Sequence, residues 1–96
     1  MSYHDDPDYV IQGLYKGQWG GVAEQDGSDD IVDAVHKALA MKRSSHFEGD
    51  YVRVLTRDGE SVYDTSYGDG AKGITSSYPG DVKQIKKIFA KPRRSR

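Results

Sequence analysis

Hydrophobic and polar positions alternate in the first part of the chain, between residues 9 and 15. One side of this alternation carries Tyr9, Ile11, Gly13 and Tyr15, and the other side carries Val10, Gln12 and Leu14. A period of two residues predicts a β-strand. The glycines at positions 17, 20 and 21 then predict a bend or bulge around Trp19. Residues 22–24 either resume this strand or form a second one.

The next segment has a helical period instead. Its apolar residues recur at i, i+4, i+7 and i+8, and they are Ile31, Val35, Ala38 and Leu39. This spacing predicts an α-helix over residues 29–43, with Ser28 as its N-cap. Aspartates fill the first turn, and Lys42 and Arg43 fill the last turn, so the charges at both ends complement the helix dipole.

A β-hairpin is predicted over residues 51–57 and 60–67, joined at Asp58-Gly59. Asp-Gly favours a two-residue type I′ turn, in which both central residues take positive φ. Such a turn places Arg57 opposite Glu60 and fixes the register of the rest of the hairpin. The remaining predicted cross-strand pairs are Leu55 with Val62, Arg53 with Asp64, Thr56 with Ser61, Val54 with Tyr63, and Val52 with Thr65.

The last third of the chain begins with residues 68–80, whose glycines and proline predict a long loop or a distorted edge segment. A short helix over residues 82–90, capped by Asp81, is predicted next. Its apolar face is Val82, Ile85, Ile88 and Phe89, with lysines on the opposite face. A strand over the same residues is the alternative.

These elements predict a small α+β fold. We expect an antiparallel or mixed sheet in β-α-β-β order, with one main helix packed on it and a short C-terminal helix. The predicted organisation is a flexible arm at residues 1–8, a single α+β domain at residues 9–90 and a basic tail at residues 91–96.

Composition narrows the class of protein. Ten aromatic residues in 96 argue against a disordered chain, and the absence of cysteine excludes disulfides and thiolate metal sites. The N-terminus lacks the pattern of a signal peptide, and no apolar run is long enough to cross a membrane. An intracellular protein that makes no membrane contact is therefore expected.

Catalytic chemistry is not predicted. The three histidines, at positions 4, 36 and 46, are not spaced as metal ligands, and no nucleophile motif is present. Gly68–Gly73 matches the letters of a dinucleotide-binding loop, but no helical period follows it. We expect a protein that is not an enzyme and that needs neither a cofactor nor a metal.

Charge gives the strongest functional indication. Residues 1–80 carry 7 Lys/Arg against 14 Asp/Glu, a net charge of −7, whereas residues 81–96 carry 7 against 1, a net charge of +6. One candidate binding surface is acidic, with two aromatic anchors: Glu24, Asp26, Asp29, Asp30 and Asp33, with Tyr15 and Trp19. The alternative surface is basic and would bind nucleic acid: Lys83, Lys86, Lys87, Arg93, Arg94 and Arg96.

The run Tyr9-Val10-Ile11-Gln12-Gly13-Leu14-Tyr15 with Trp19, the Ser-capped acidic helix, and Tyr51-Val52-Arg53-Val54 with its hairpin resemble small accessory proteins of bacteriophages and prophages. Some proteins of this kind are anti-CRISPR proteins, and others inhibit host enzymes such as RNA polymerase. The resemblance spans about residues 9–67.

The resemblance implies a phage or mobile-element protein in the cytoplasm of a bacterial host cell. Such a protein would bind a basic groove of a host protein or ribonucleoprotein complex that handles nucleic acid, and would inhibit it by steric and electrostatic occlusion. Two alternatives stay open. One is a nucleic-acid-binding module that uses the basic C-terminal segment. The other is a structural or assembly protein that self-associates. Either a monomer or a small homo-oligomer is expected.

Overall fold

The computed structural model describes residues 8–21, 27–68 and 70–90. Its strands are β1 (Tyr9–Tyr15), β2 (Gln18–Gly21), β3 (Tyr51–Thr56) and β4 (Ser61–Asp64), and its helices are α1 (Ile31–Arg43) and α2 (Pro79–Phe89). The four strands form one antiparallel sheet in the order β2-β1-β3-β4. The predicted α+β class is confirmed, and residues 79–89 form a helix rather than the alternative strand.

The hairpin of β1 and β2 has a type I′ turn at Lys16-Gly17. Both residues have positive φ, 55° and 83°, and Tyr15 pairs with Gln18. This is the turn geometry that matches the twist of adjacent strands, although a lysine in the left-handed region is uncommon. The glycine-rich segment therefore reverses the chain rather than merely bending it. Residues 22–24 lie outside the described part of the chain.

The turn between β3 and β4 differs from the predicted one. Gly59 has φ +92°, but Asp58 does not have positive φ. The Gly59 N–H donates to the Thr56 carbonyl at 2.9 Å, and the Thr56 N–H donates to the Glu60 carbonyl at 2.8 Å. This is a three-residue loop with glycine in the left-handed position, so the predicted type I′ turn is wrong.

The longer loop changes the register between β3 and β4 next to the turn. Arg53 pairs with Asp64 and Val54 with Tyr63, as predicted, but Leu55 pairs with Ser61. Val62 is thus the extra residue of a β-bulge. The predicted pairs that lie between this bulge and the turn are wrong, because each assumed a two-residue loop: Leu55 with Val62, Thr56 with Ser61, and Arg57 with Glu60.

Strand β4 is shorter than predicted, since it ends at Asp64 rather than at residue 67. The Asp64 carboxylate accepts hydrogen bonds from the N–H and hydroxyl of Ser66 and caps a 3-10 turn over Thr65–Tyr67. A second 3-10 turn follows at Gly70–Gly73. Ile74 then forms a bridge with Tyr63, so residues 74–76 are an irregular edge segment beside β4.

Helix α1 begins two residues later than predicted, and its cap is not Ser28. The Asp30 carboxylate accepts the Asp33 N–H at 3.0 Å and is the N-cap, so the Ser28 assignment is wrong. Ser28 is held instead in a two-way backbone pair with Tyr9. This pair keeps the segment extended beside β1, and the helix can begin only after it.

Helix α2, in contrast, begins earlier than predicted. Pro79 is its first residue, where a missing N–H costs nothing. Asp81 therefore lies inside the first turn and does not cap the helix, which corrects the predicted role.

Both helices pack on the same face of the sheet. The predicted stripe of α1 is confirmed, since Ile31, Val35 and Ala38 are buried and Leu39 is half-buried. Helix α2 contributes Ile85, which is fully buried, and Phe89 stacks on Tyr63 of β4. The core of this two-layer fold contains Ile11, Ile31, Ala34, Val35, Ala38, Val52, Val54, Val62, Tyr63 and Ile85.

Candidate functional site

The two helices run in broadly the same direction, which determines where the charges lie. The first half of α1 shares a groove with Gln84 and Lys87, whereas its last turn meets Phe89 at the end of α2. Parallel helices bring their N-terminal ends to one end of the layer and their C-terminal ends to the other. The first turns contain the acidic residues and the last turns the basic ones.

The acidic end comprises Asp8, Asp29, Asp30, Asp33 and Asp81. Hydrogen bonds connect several of its members: the Asp8 N–H donates to the Asp29 carboxylate at 3.0 Å, and the Arg57 guanidinium donates to the Asp8 carboxylate at 2.7 Å. Burial raises the pKa of the Tyr9 hydroxyl, and the nearby charges of Asp81, Asp8 and Asp30 raise it further. The N-cap residue of α1 and Asp81 of α2 therefore both lie near enough to Tyr9 to disfavour its ionised form.

Most aspartates of the acidic end already have structural partners. Asp30 caps α1, and Asp33 is 3.5 Å from the Lys37 ammonium. A hydrogen bond with the Ser28 hydroxyl, and then the charge of Lys37, lower the pKa of the exposed Asp33 carboxyl. Of the acidic surface proposed from the sequence, Asp29, Asp30 and Asp33 lie together at this end, while Glu24 and Asp26 lie outside the described residues.

The two proposed aromatic anchors do not lie beside the acidic end. Tyr15 is six residues along β1 from Tyr9, which is about 20 Å of extended strand. Its ring contacts Phe47 edge-on at 5.6 Å on the helix-covered face. Trp19 pairs with Leu14 on the other face, where the Arg53 guanidinium lies 4.2 Å from its ring centre. The structure therefore separates Tyr15 from Trp19 and both from the aspartates.

The helix layer presents a basic surface, which we define as Lys42, Arg43, Lys83, Lys86 and Lys87. The three lysines of α2 and Arg43 are exposed, and Lys42 is half-exposed. None of the five forms an ion pair within residues 8–21, 27–68 and 70–90. Of the proposed basic residues, Lys83, Lys86 and Lys87 therefore lie on one helix, and Arg93, Arg94 and Arg96 lie outside the described chain.

Lys42 and Arg43 were not among the site residues proposed from the sequence. Their position at a helix C-terminus is already explained by the helix dipole, so the chain offers no further signal at these residues. Their proximity to α2 depends on how the two helices pack together.

Both helices line two concave regions of the described chain. The first has a volume of about 280 Å³ and is lined by Val32, His36, Gln84, Lys87 and Ile88. The second, which we call the helix-end pocket, has a volume of about 340 Å³. Its lining residues are Leu39, Lys42, Arg43, Tyr63, Thr65, Gly70 and Phe89.

The described residues do not support a metal site, a membrane-spanning helix or a phosphate-binding loop. Among the described residues, no three His, Asp or Glu side chains gather in a way that could hold a metal ion. Within the same part of the chain, no helix has the length and apolar character needed to cross a membrane. Thr65–Tyr67 and Gly70–Gly73 are 3-10 turns, so the glycine-rich run does not open an α-helix as a phosphate-binding loop would.

Comparisons with known proteins do not identify a relative. No protein-family model matches the chain, and the searches of curated proteins and of solved structures give no significant match.

Proposed function

We propose that this chain is a non-enzymatic binding protein that holds nucleic acid on its basic surface. The observation that carries the proposal is the set of five cations, from two helices, that have no acidic partner in the described part of the chain. Lys87 is exposed at the rim of the groove between the helices. Because Ile85 points into the core, helical geometry directs Lys83 to the opposite, solvent-facing side. A phosphate backbone can approach this side without displacing any packed element.

The physical basis of binding is counterion release. Each phosphate that a lysine or arginine neutralises frees condensed cations, and affinity then falls linearly with salt on a logarithmic scale. Five contacts to a single strand give a slope of about −3 to −4. The aspartates of the acidic end repel the same polyanion, so binding is restricted to the basic surface and the strand is oriented on it.

The test is a fluorescence anisotropy titration with a labelled 20-nucleotide single strand at several salt concentrations. We expect Lys86→Gln to reduce the magnitude of the salt slope by about 0.7, which corresponds to the loss of one phosphate contact. Lys37→Gln is the matched control, because it removes the same charge from a lysine that is paired with Asp33 of the acidic end and is not part of the basic surface. Equal slopes for the two variants, or a wild-type slope near zero, would contradict the proposal.

A second function is favoured by the acidic end. Asp29 and Asp33 are exposed, and hydrogen bonds link Asp29 to Asp8 and Asp33 to Asp30. We propose as the alternative a phage or mobile-element inhibitor that fits this end into the basic groove of a bacterial nucleic-acid-handling complex, consistent with the resemblance noted above. Charge complementarity would steer the encounter.

This second function needs a variant that spares the helix cap. Asp29→Asn with Asp33→Asn removes two charges but keeps Asp30, whose side chain caps α1. We expect this double variant to lose any nucleic-acid-handling complex that the wild-type chain captures from bacterial lysate. A control with Glu48→Gln and Asp50→Asn, two exposed acids beside the Leu14 end of β1, should keep it. Equal capture by both variants would argue against a role for the acidic end.

A further inference from the structure

We infer that the helix-end pocket accepts one nucleotide, with its base against Phe89 and its phosphate on Lys42 and Arg43. The inference rests on the proposed function and deepens it, because it assigns a binding mode that distinguishes unpaired from paired nucleic acid. The pocket is separate from the outward lysines of α2 and is built from α1, β4, the two 3-10 turns and α2.

The aromatic wall of the pocket is rigidly supported. Tyr63 is fully buried, and its hydroxyl donates to the Gly70 carbonyl at 2.8 Å. Phe89 stacks on Tyr63 with ring centres 5.7 Å apart and planes 16° from parallel. Phe89 is only half-buried and lines the pocket, so part of its ring remains accessible to a ligand. A flat apolar ring held in this way is the feature on which unpaired bases stack.

The rim of the pocket supplies the charge for a phosphate. Lys42 and Arg43 are consecutive residues in the last turn of α1, and both line the pocket. The carbonyl groups at a helix C-terminus disfavour an anion, so a phosphate there needs the two cations to offset the dipole. An arginine guanidinium can also donate two parallel hydrogen bonds to phosphate oxygens.

The size of the pocket limits what it can hold. Its volume of about 340 Å³ is near the lower limit of known ligand sites, which span about 300–1,000 Å³. It can therefore accept one nucleotide but not a stack of several. A base in a duplex presents only its edge, because its faces are covered by its neighbours, so the pocket should select single strands and strand ends.

The polar groups of the floor are already engaged. The Thr65 hydroxyl bonds both the N–H and the carbonyl of Val52, and the Tyr63 hydroxyl bonds Gly70. Few groups remain to read the edge of a base. We therefore expect the pocket to tolerate all four bases, as stacking sites do.

The experiment compares a labelled single strand, the same sequence as a duplex, and free AMP. Anisotropy measures binding of the two DNA forms, and calorimetry measures binding of AMP. We expect Phe89→Leu to weaken single-strand and AMP binding 5-fold or more, which is the lower end of the effect of removing a stacked aromatic ring. Duplex binding should change less than 2-fold. Lys83→Gln, on the basic surface but outside the pocket, should weaken both DNA forms equally and leave AMP binding unchanged.

The outcomes separate the pocket from the basic surface. If the wild type binds AMP but no DNA, and Phe89→Leu loses that AMP binding, the pocket is a site for free nucleotides and the proposed function is refuted. Equal effects of Phe89→Leu on single strand and duplex, or no binding of either AMP or single strand, would overturn the inference. If Phe89→Leu does not fold, Arg43→Gln replaces it. Arg43→Gln should weaken AMP binding, whereas Lys83→Gln should not, and identical behaviour of these two variants would also overturn the inference.

Discussion

Replacing Thr65 by Val tests how the sheet is completed beyond the end of β4. The Thr65 hydroxyl accepts the Val52 N–H at 2.9 Å and donates to the Val52 carbonyl at 3.1 Å. These are the two backbone groups that a longer β4 would have paired. The chain leaves the sheet at Asp64 to form a 3-10 turn, so the Thr65 side chain makes the two hydrogen bonds that a further strand residue would have made.

The magnitude follows from burial. Val52 is fully buried, and Thr65 is 3% exposed. Valine has nearly the shape of threonine but has no hydroxyl, so Thr65→Val leaves a buried N–H and a buried carbonyl without partners. Each such group costs about 1–3 kcal/mol. Because Thr65 lines the helix-end pocket, water can reach it in part. We therefore expect a loss of about 2–4 kcal/mol in the free energy of unfolding.

Thr65→Ser is the matched control, since it keeps the hydroxyl and removes one buried methyl group. That change costs about 1 kcal/mol. Urea denaturation followed by circular dichroism measures both variants, and an unchanged m-value confirms that the comparison is of stability alone. If Thr65→Val is as stable as Thr65→Ser or more so, the hydroxyl does not replace the missing strand hydrogen bonds to Val52, and the proposed role of Thr65 is refuted.

Three further predictions concern local features. Asp30→Ala should lower the free energy of unfolding by about 1 kcal/mol through loss of the helix cap, and Ser28→Ala should lower it less. If urea denaturation shows the larger loss for Ser28→Ala, Ser28 is the cap after all, as the sequence predicts. Gly59→Ala should destabilise the chain because φ is +92°, whereas Gly80→Ala, with open space around it in α2, should stabilise it by about 0.5–1 kcal/mol; thermal melts distinguish the two signs. The raised pKa of Tyr9 means that the folded state holds the hydroxyl proton more tightly than the unfolded state does. The stabilisation of the folded state by this hydroxyl is therefore complete below the ordinary tyrosine pKa and is lost as pH rises above it. As pH rises from 8 to about 11, the free energy of unfolding should therefore fall less for the Tyr9→Phe variant than for the wild type. Parallel pH profiles of the two proteins would contradict this.

Local sequence was enough to predict the elements whose signals are short-range. The alternation over Tyr9–Tyr15 and the helical stripe of α1 correspond to structural periods of 2 and 3.6 residues, and both elements formed. The pairs Arg53 with Asp64 and Val54 with Tyr63 agree with the prediction although its turn was wrong, because the β-bulge at Val62 offsets the one-residue difference in the turn.

The tertiary structure decided the turns and the caps. Asp-Gly suits both a two-residue loop and a three-residue loop, and the structure has the longer one at Asp58-Gly59. The backbone pair of Ser28 with Tyr9 moved the cap of α1 to Asp30, and no local signal reveals a contact 19 positions away in the chain.

The candidate site was decided in the same way. From the sequence, the amino acids themselves specify an acidic body, a basic C-terminal segment and an apolar face on each helix. The direction in which α2 crosses the sheet relative to α1 depends on the burial of Ile85 and Phe89 against residues far away in the chain. That packing brings Lys42 and Arg43 beside Phe89 and creates the helix-end pocket, because close packing of side chains is a property of the folded core and not of any single segment.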